Sequence, residues 1–497
     1  MIMNLLVKVL LLSVSLSTVQ NIFAQPNILL IISDDLNTRI GPYMNVDKHT
    51  PNLDRLTKEG VRFTRAYCQY PLCGPSRASF MSGLYPEVNG VIGNSDQLGS
   101  YRAVTPELAD HPSLAGFFKE NGYFSARVSK IYHMGVPGGI ERGESGGDDP
   151  DSWDYWYNIM ATETLSPGEF DLLSPKHTHY GGTFVNIKVP DKLKGTQADF
   201  MATSQAIAIL ENRAASIAPN ATNKIRKKPD APFFLGVGLV RPHLPFVAPE
   251  NCFEAYPPEE MQLPKYVIGD NVPKQALRSC NKGRWDMNEQ QKKKAISGYM
   301  ASVRFMDQQV GRLLDALDRL DLRKNTIVVF ISDHGFNLGE HDSWSKVSLW
   351  EGSVRVPMII SDPANKEHYG TSCNNVAELI DLYPTLTDLT GLAGKQPRIL
   401  QGKSLAYAIR GQRRKNEDGI AFTITSGKGA SIRTNQWRYN RWGDNAGVFN
   451  EELYDHNSDP EEFVNLVGDS KYESILNEMR TEFEVARSKA RNGLVAD

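Results

Sequence analysis

Three stretches of this chain are apolar without interruption and then stop abruptly at polar residues. Residues 26–32 run into Ser33-Asp34-Asp35, residues 233–240 into Arg241-Pro242-His243, and residues 326–331 into Ser332-Asp333-His334. A strand with one solvated face alternates, whereas a strand covered on both faces does not. These three therefore read as inner strands of a parallel or mixed sheet. A weaker run, residues 123–128, ends close to Lys130-Ile131-Tyr132-His133. Helical patterns lie between the runs. Residues 113–122 end on a glycine stop signal. From Gln291 to about Leu320, apolar positions such as Ile296, Tyr299, Val303, Met306, Val310, Leu313 and Leu317 recur at three- and four-residue steps. Strands alternating with helices predict an α/β layered sheet, and ligands of such sheets bind beyond the carboxyl ends of the strands. The four polar tails are predicted to meet there.

The length, 497 residues, allows two or three domains. Lys8 precedes an apolar run over residues 9–16, and small or polar residues follow as far as Phe23-Ala24-Gln25. That run is too short to span a bilayer and reads as a secretory signal peptide over residues 1–24. No cysteine lies near the cleavage point, so no lipid anchor is expected, and no later segment is apolar enough for a membrane helix. The expected location is secreted or periplasmic. Residues 25–395 read as one catalytic domain. From 396 to 497, short alternating runs such as residues 430–433 and 437–442 predict a small β-rich C-terminal subdomain with a closing helix. Residues 136–190, rich in Gly, Asp, Pro, His and aromatics, read as long loops, and residues 191–211 return to a helical pattern.

A formal net charge of -3 gives no long-range pull on nucleic acid or an anionic membrane, so neither partner is expected. Any positive charge that meets an anionic substrate must be concentrated locally. Five cysteines in a chain this long are not a disulfide framework. Cys252 with Cys280 is the candidate pair.

Asp34 and Asp35 alone read as loop carboxylates near a helix start. The recurrence of the pattern in Asp333-His334 changes that reading, because two strands then deliver metal-capable pairs to one sheet edge. Three carboxylates form a hard, oxygen-rich site suited to Ca²⁺, with Mg²⁺ as the other candidate. His334 is a softer donor that can face metal or substrate. Cys73 stands in Cys73-Gly74-Pro75-Ser76-Arg77. A buried cysteine is usually inert, so this pentapeptide gains its meaning from the metal-capable residues around it.

With these residues the chain resembles the type I, formylglycine-dependent sulfatases of the alkaline phosphatase superfamily, specifically the iduronate-2-sulfatase-like branch and its bacterial polysaccharide-sulfatase relatives. The resemblance is carried by Ser33-Asp34-Asp35-Leu36-Asn37, the Cys73–Arg77 signature, Lys130-Ile131-Tyr132-His133 and Arg241-Pro242-His243-Leu244-Pro245-Phe246. Ser332-Asp333-His334-Gly335, Gly339-Glu340-His341 through Trp344-Ser345-Lys346, and Glu452-Leu453-Tyr454-Asp455 with Asp459-Pro460 complete it. Many family members have Asn where this chain has His334, and the iduronate branch has His. The resemblance implies an alkaline-phosphatase-like, mostly parallel sheet between helices.

It also implies a mechanism. A formylglycine-generating or sulfatase-maturing enzyme oxidises Cys73 to formylglycine (3-oxoalanine), whose hydrate attacks sulfur. Asp34, Asp35, Cys73, Asp333 and His334 hold the metal, which acidifies the nucleophile and polarises a sulfate oxygen. Arg77 orients the hydrate, and Lys130 and Lys346 neutralise the sulfate. His243 protonates the leaving oxygen, and His133 takes the proton of the second hydroxyl as sulfate is expelled. The implied substrate is a sulfated poly- or oligosaccharide attacked as an exo-sulfatase, with 2-sulfated uronic acids and the rhamnose-3-sulfate of ulvan as candidates. Trp153, Tyr155, Trp156, Tyr157, His177, His179, Tyr180, Trp344 and Trp442 are candidates for a sugar platform. Two other readings stay open: a phosphoester or phosphonate hydrolase on the same fold, and a non-catalytic glycan-binding protein with an unmodified Cys73.

Overall fold

The computed structural model describes residues 25–492 except 45–49, 175–179, 215–227, 229, 266, 270, 282–283, 413–418 and 448. The expected signal peptide lies outside the described residues. An eight-stranded sheet forms the centre. Its order is Thr371–Glu378, Val61–Tyr67, Arg355–Ser361, Thr326–Ser332, Asn27–Ser33, Phe233–Leu239, Phe124–Ser129 and Tyr155–Tyr157. Arg355–Ser361 is antiparallel to both neighbours, and every other pairing in the sheet is parallel.

The uninterrupted apolar runs follow from layers on both faces. Ile28, Leu30 and Ile32 pack on one side with Phe80, Phe117, Phe118 and Leu386. Leu29 and Ile31 pack on the other with Ala202, Ile209, Val303, Met306 and Leu313. All five residues of the Ile28–Ile32 segment are fully buried, and burying one such side chain stabilises by about 1.5–3 kcal/mol. The second face is covered by the helices Ala198–Ala214 and Glu289–Arg319. The longer one starts on a reciprocal cap, in which Asn288 Oδ1 accepts from Gln291 N and Gln291 Oε1 accepts from Asn288 N.

Register then levels the strand ends. Ser33 is paired with Ser332 on one side and with Leu239 on the other, and Ser129 is paired with Gly238. Asp34, Asp333, Val240 and Lys130 therefore leave the sheet within a residue of one another along a single edge. Residues 136–190 depart from the loop reading. They include Tyr155–Tyr157 at the sheet edge, and Glu169–Leu172 and Val185–Val189, which pair with each other; Val185–Val189 also pairs with Phe246–Pro249. These strands are short and irregularly spaced, which hides their period.

Beyond residue 420 the strands Ala421–Thr425, Gly429–Arg433, Trp437–Trp442 and Glu451–Asp455 form an antiparallel meander. The helix Glu473–Arg491 closes it through Leu476, Met479 and Phe483. Two junctions join this sheet to the central one. Glu378, at the end of the last main-sheet strand, accepts from Tyr85 Oη, Gln69 Nε2 and Phe422 N at 2.8–3.2 Å. At the other junction, Arg438 sits between Glu351 and Glu462, Glu462 Oε2 accepts from Glu351 N (2.8 Å), and His456 Nε2 meets Glu462 Oε1 (2.9 Å). Trp350 Nε1 donates across the same boundary to Glu452 Oε1 (3.0 Å). The five cysteines are all free, so Cys252 and Cys280 form no disulfide. Cys280 Sγ instead donates to His341 O, and Cys252 Sγ to Asn251 Oδ1.

Candidate active site

Asp35 turns the chain away from the sheet with φ at +66°, a left-handed conformation for a residue with a side chain. The turn is held from the neighbouring strand. Asp35 N donates to Asp333 Oδ1 (3.1 Å), Leu36 N to Ser332 Oγ (2.9 Å), and His334 N to Asp333 Oδ1 (2.9 Å). The helix Cys73–Ser82 begins at the same edge, with every residue buried. Its first residue places Cys73 Sγ 3.4 Å from His334 Nε2 and 4.0 Å from Asp35 Oδ1. One turn on, the fully buried Arg77 donates through Nε to Asp333 Oδ2 (2.8 Å), and its Nη2 lies 3.4 Å from Asp34 Oδ1. Nη1 donates to the carbonyls of Lys130 (2.5 Å) and Ile131 (3.0 Å). A single guanidinium thus ties three of the four strand tails.

Lys130 reaches back to Asp34, with Nζ–Oδ2 at 2.5 Å. Its backbone crosses so close to the next strand that a Cβ on Gly238 would lie 2.1 Å from Lys130 O. Lys346 Nζ donates to Asp35 Oδ1 (2.6 Å) and approaches Cys73 Sγ at 3.2 Å. His243 Nε2 lies 3.9 Å from Asp35 Oδ2, and its Nδ1 faces Leu244 O at 2.5 Å. His133 lies close enough to the Cys73 thiol to influence its charge, with Asp96 Oδ1 3.9 Å from His133 Nε2. All the residues expected at the site are therefore assembled at one sheet edge.

Charge decides the protonation states. Burial would raise the Cys73 thiol, but Lys346, Lys130, His334 and His133 hold it well below its ordinary value. Burial and Cys73 push Asp34 up, and Lys130, His243 and Arg77 outweigh them, leaving it below the usual carboxylate range. Burial lifts Asp333 to about 7. His334 rises to about 9 against its burial because Asp333 stands beside it. Burial lowers His133.

The donor set fits a divalent cation. Asp34 Oδ1 and Asp35 Oδ2 are buried and make no hydrogen bond, approached only by Arg77 Nη2 at 3.4 Å and His243 Nε2 at 3.9 Å, and a buried carboxylate oxygen without a hydrogen bond is costly. Asp34, Cys73, Asp333 and His334 offer ligand atoms within 4.8 Å of one another, as do Asp34, Asp35, Cys73 and His243. Three carboxylates stand among these donors, which suits a hard ion. A third such group, Glu351, His456 and Glu462, already has its charge met by Arg438.

The family model described as Sulfatase matches residues 26–392. The chain belongs to the sulfatase family. A second model, described as N-sulphoglucosamine sulphohydrolase, C-terminal, matches residues 339–489 of this sulfatase. A sulfatase from Formosa agariphila is 31% identical over 479 residues, which cover 93% of this chain and 87% of the relative. Human iduronate 2-sulfatase is 30% identical over 74% of this chain and 69% of its own. A solved phosphonate monoester hydrolase from Silicibacter pomeroyi superposes with a TM-score of 0.73 at 20% identity, over 95% of this chain and 97% of that one, and shares the fold. The sulfatase is thus a sulfuric ester hydrolase on a mixed α/β sheet with a separate antiparallel subdomain.

Three of the aromatics expected in a sugar platform are core packing instead. Trp344, Trp153 and Trp442 are buried, and Trp153 Nε1 and Trp442 Nε1 are spent on Asp148 and Glu452. Large aromatics supply core area wherever the fold needs it, and composition does not separate that use from recognition. Trp156 and Tyr157 are exposed on the edge strand, and Tyr155 is half-buried against Gln205. His177, His179 and the side chain of Tyr180 lie outside the described residues. A cavity of about 670 Å³ lies beside the site, lined in part by Asn37, Arg39, Glu340, His341, Trp350, Asp459 and Phe463, and it includes none of the expected catalytic residues.

Sequence reasoning missed Asp96 and Asn94. Asn94 Oδ1 accepts from Gly74 N (2.9 Å), which ties the loop carrying Asp96 to the start of the helix Cys73–Ser82. Nothing in the local pattern of that loop marks it. Among the described residues no helix is long and apolar enough to cross a membrane.

Proposed function

We propose that the sulfatase removes sulfate from sulfated carbohydrates through formylglycine formed from Cys73 and a divalent cation, Ca²⁺ or Mg²⁺. The observation that carries the reading is the thiol of residue 73 standing beside His334, Asp35 and Lys346 at the edge where two strands deliver their carboxylates. Asp34, Asp35, Asp333, His334 and residue 73 would hold the cation. Oxidation of Cys73 supplies an oxygen nucleophile that a thiol lacks, and the cation supplies Lewis acidity toward a sulfate oxygen.

The remaining work falls to the chain's own residues. Lys130 and Lys346 meet the sulfate charge from fixed positions in a dry site, where electrostatic contacts count most. Arg77 keeps Asp34 and Asp333 in place. His243 Nε2 delivers a proton to the departing sugar oxygen, and His133 takes the proton from the side chain of residue 73 when sulfate leaves. A sulfated uronic acid is favoured by the name of the human relative, and the branch resemblance adds ulvan rhamnose-3-sulfate. A secreted or periplasmic location fits the leader-like residues 1–24 and a polymer substrate. The maturing partner is a formylglycine-generating or sulfatase-maturing enzyme.

Two measurements test the proposal. Mass spectrometry of the tryptic peptide Ala66–Arg77 from protein made in its native host should show the aldehyde at residue 73, and an intact thiol there overturns the mechanism. A panel of defined sulfated oligosaccharides, run beside aryl sulfate and aryl phosphate, should release sulfate from at least one sugar. Dominant phosphatase activity would instead favour the phosphoester reading.

A further inference from the structure

Lys346 stands on a turn that is strained on both sides. Ser345 and Val347 have φ of 72° and 73°, in the left-handed region. For a β-branched residue such as Val347 this is a true outlier. Conformations of this kind persist only where their surroundings over-determine them. The surroundings here converge on one amide. Asn337 Nδ2 lies 3.1 Å from Ser343 Oγ, 3.0 Å from Ser348 Oγ and 2.8 Å from Ser353 Oγ, so its two N–H groups are shared among three hydroxyls. Ser343 precedes Lys346, and Ser348 and Ser353 follow it, so the amide grips the turn from both ends. Asn337 is also paired in register with Ser345, the residue before the lysine. Its other amide atom fits only because residue 352 is glycine, since a Cβ there would lie 2.2 Å from Asn337 Oδ1.

We infer that Asn337 is a positioning residue for Lys346: its amide pins the strained turn so that Lys346 Nζ reaches Asp35 and the side chain of residue 73. The amide spends its donors on the three serines rather than on the catalytic or metal-holding side chains, so its effect on turnover runs through the lysine. The inference rests on the reading of Lys346 as a cation that meets the sulfate.

A double-mutant cycle on an activated aryl sulfate, where residual rates stay measurable, tests it. Lys346→Ala should lower kcat/KM by about 100-fold or more. Asn337→Ala should lower it by about 10–100-fold in the wild-type background, the scale of a misplaced catalytic group. In the Lys346→Ala background the same change should cost less than about twofold, because residues acting as a unit are not additive. If Lys346→Ala leaves turnover unchanged, the role given to the lysine fails. If Lys346→Ala is impaired but Asn337→Ala costs nothing, or costs the same factor in both backgrounds, Asn337 does not act through Lys346 and the inference is overturned while the site reading stands. Should Asn337→Ala lose its cooperative thermal transition, the paired change Ser348→Ala with Ser353→Ala replaces it in the cycle. The same non-additivity is then expected, and equal factors in both backgrounds overturn the inference.

Discussion

Replacing His243 with alanine separates proton delivery from the rest of the site. The loop that carries it is fixed without the imidazole. Arg241 Nη1 donates to the carbonyls of His243 (3.2 Å) and Pro245 (3.1 Å), and Arg241 Nη2 meets Glu163 at 2.5 Å. Ser33 Oγ donates to Arg241 O, and Asp199 accepts from Val240 N and Arg241 N. The variant should therefore keep its fold and lose one function. A positioned proton-transfer group contributes about 10²–10⁴-fold, or about 3–5.5 kcal/mol of transition-state stabilisation. That loss should appear in full on a sugar sulfate, whose alkoxide cannot leave unprotonated. On an activated aryl sulfate, which leaves without a proton, the loss should stay below about tenfold. Steady-state kcat/KM across a series of aryl and alkyl sulfates gives the comparison, and the variant should depend more steeply on leaving-group acidity than wild type. Equal losses at both ends of the series would refute the general-acid role, and a loss confined to KM would assign His243 to binding.

Other outcomes follow from the same geometry. Cys73→Ala should abolish turnover while leaving the thermal transition and substrate binding nearly intact, and sulfate release well above background would exclude residue 73 as the nucleophile. Because Asp34 Oδ1 and Asp35 Oδ2 are buried and make no hydrogen bond, Ca²⁺ at 100 times its Kd should stabilise the protein by about 2.7 kcal/mol. A melting temperature that does not respond to chelator, or responds equally in Asp34→Asn, removes the cation from this site. Burial, reinforced by Asp381, lifts Glu378 to about 7. The native state then holds a proton that the unfolded chain has released, so stability is lost as pH rises from the ordinary 4.5 towards 7. Glu378→Gln keeps the acceptor for Gln69 and Phe422, and its melting temperature should exceed that of wild type by more at pH 8 than at pH 5. A difference that does not change with pH refutes the assignment.

Much of the candidate site is legible in the sequence because it is written locally. An uninterrupted apolar run needs two covered faces, and a polar tail on such a run can only emerge at the strand end. Asp34, Asp35, Asp333, His334 and His243 are all found that way, and the Cys73–Arg77 spacing places the thiol and the guanidinium one helical turn apart. The parts that are not legible depend on residues far apart in the chain. Trp344 and Trp442 look alike as exposed platform or as core until their neighbours are known. Asn337 looks like an ordinary loop amide, and its role comes from three serines gathered by folding. The junction of Arg438 with Glu351 and Glu462 spans about a hundred residues of sequence, and no periodicity announces it.

That junction has a consequence for anyone who would rebuild the protein from modules. Glu351 stands five residues beyond Lys346, and its half-buried carboxylate is answered by an arginine from the far end of the chain. Truncation near residue 396 would strand that negative charge under the loop and release the outer tether at Trp350. A graft from a relative would succeed only if it brought a cation of matching reach and a carboxylate to receive the indole. The tail of this enzyme is therefore better regarded as a buttress of the segment that follows Lys346 than as an appendage.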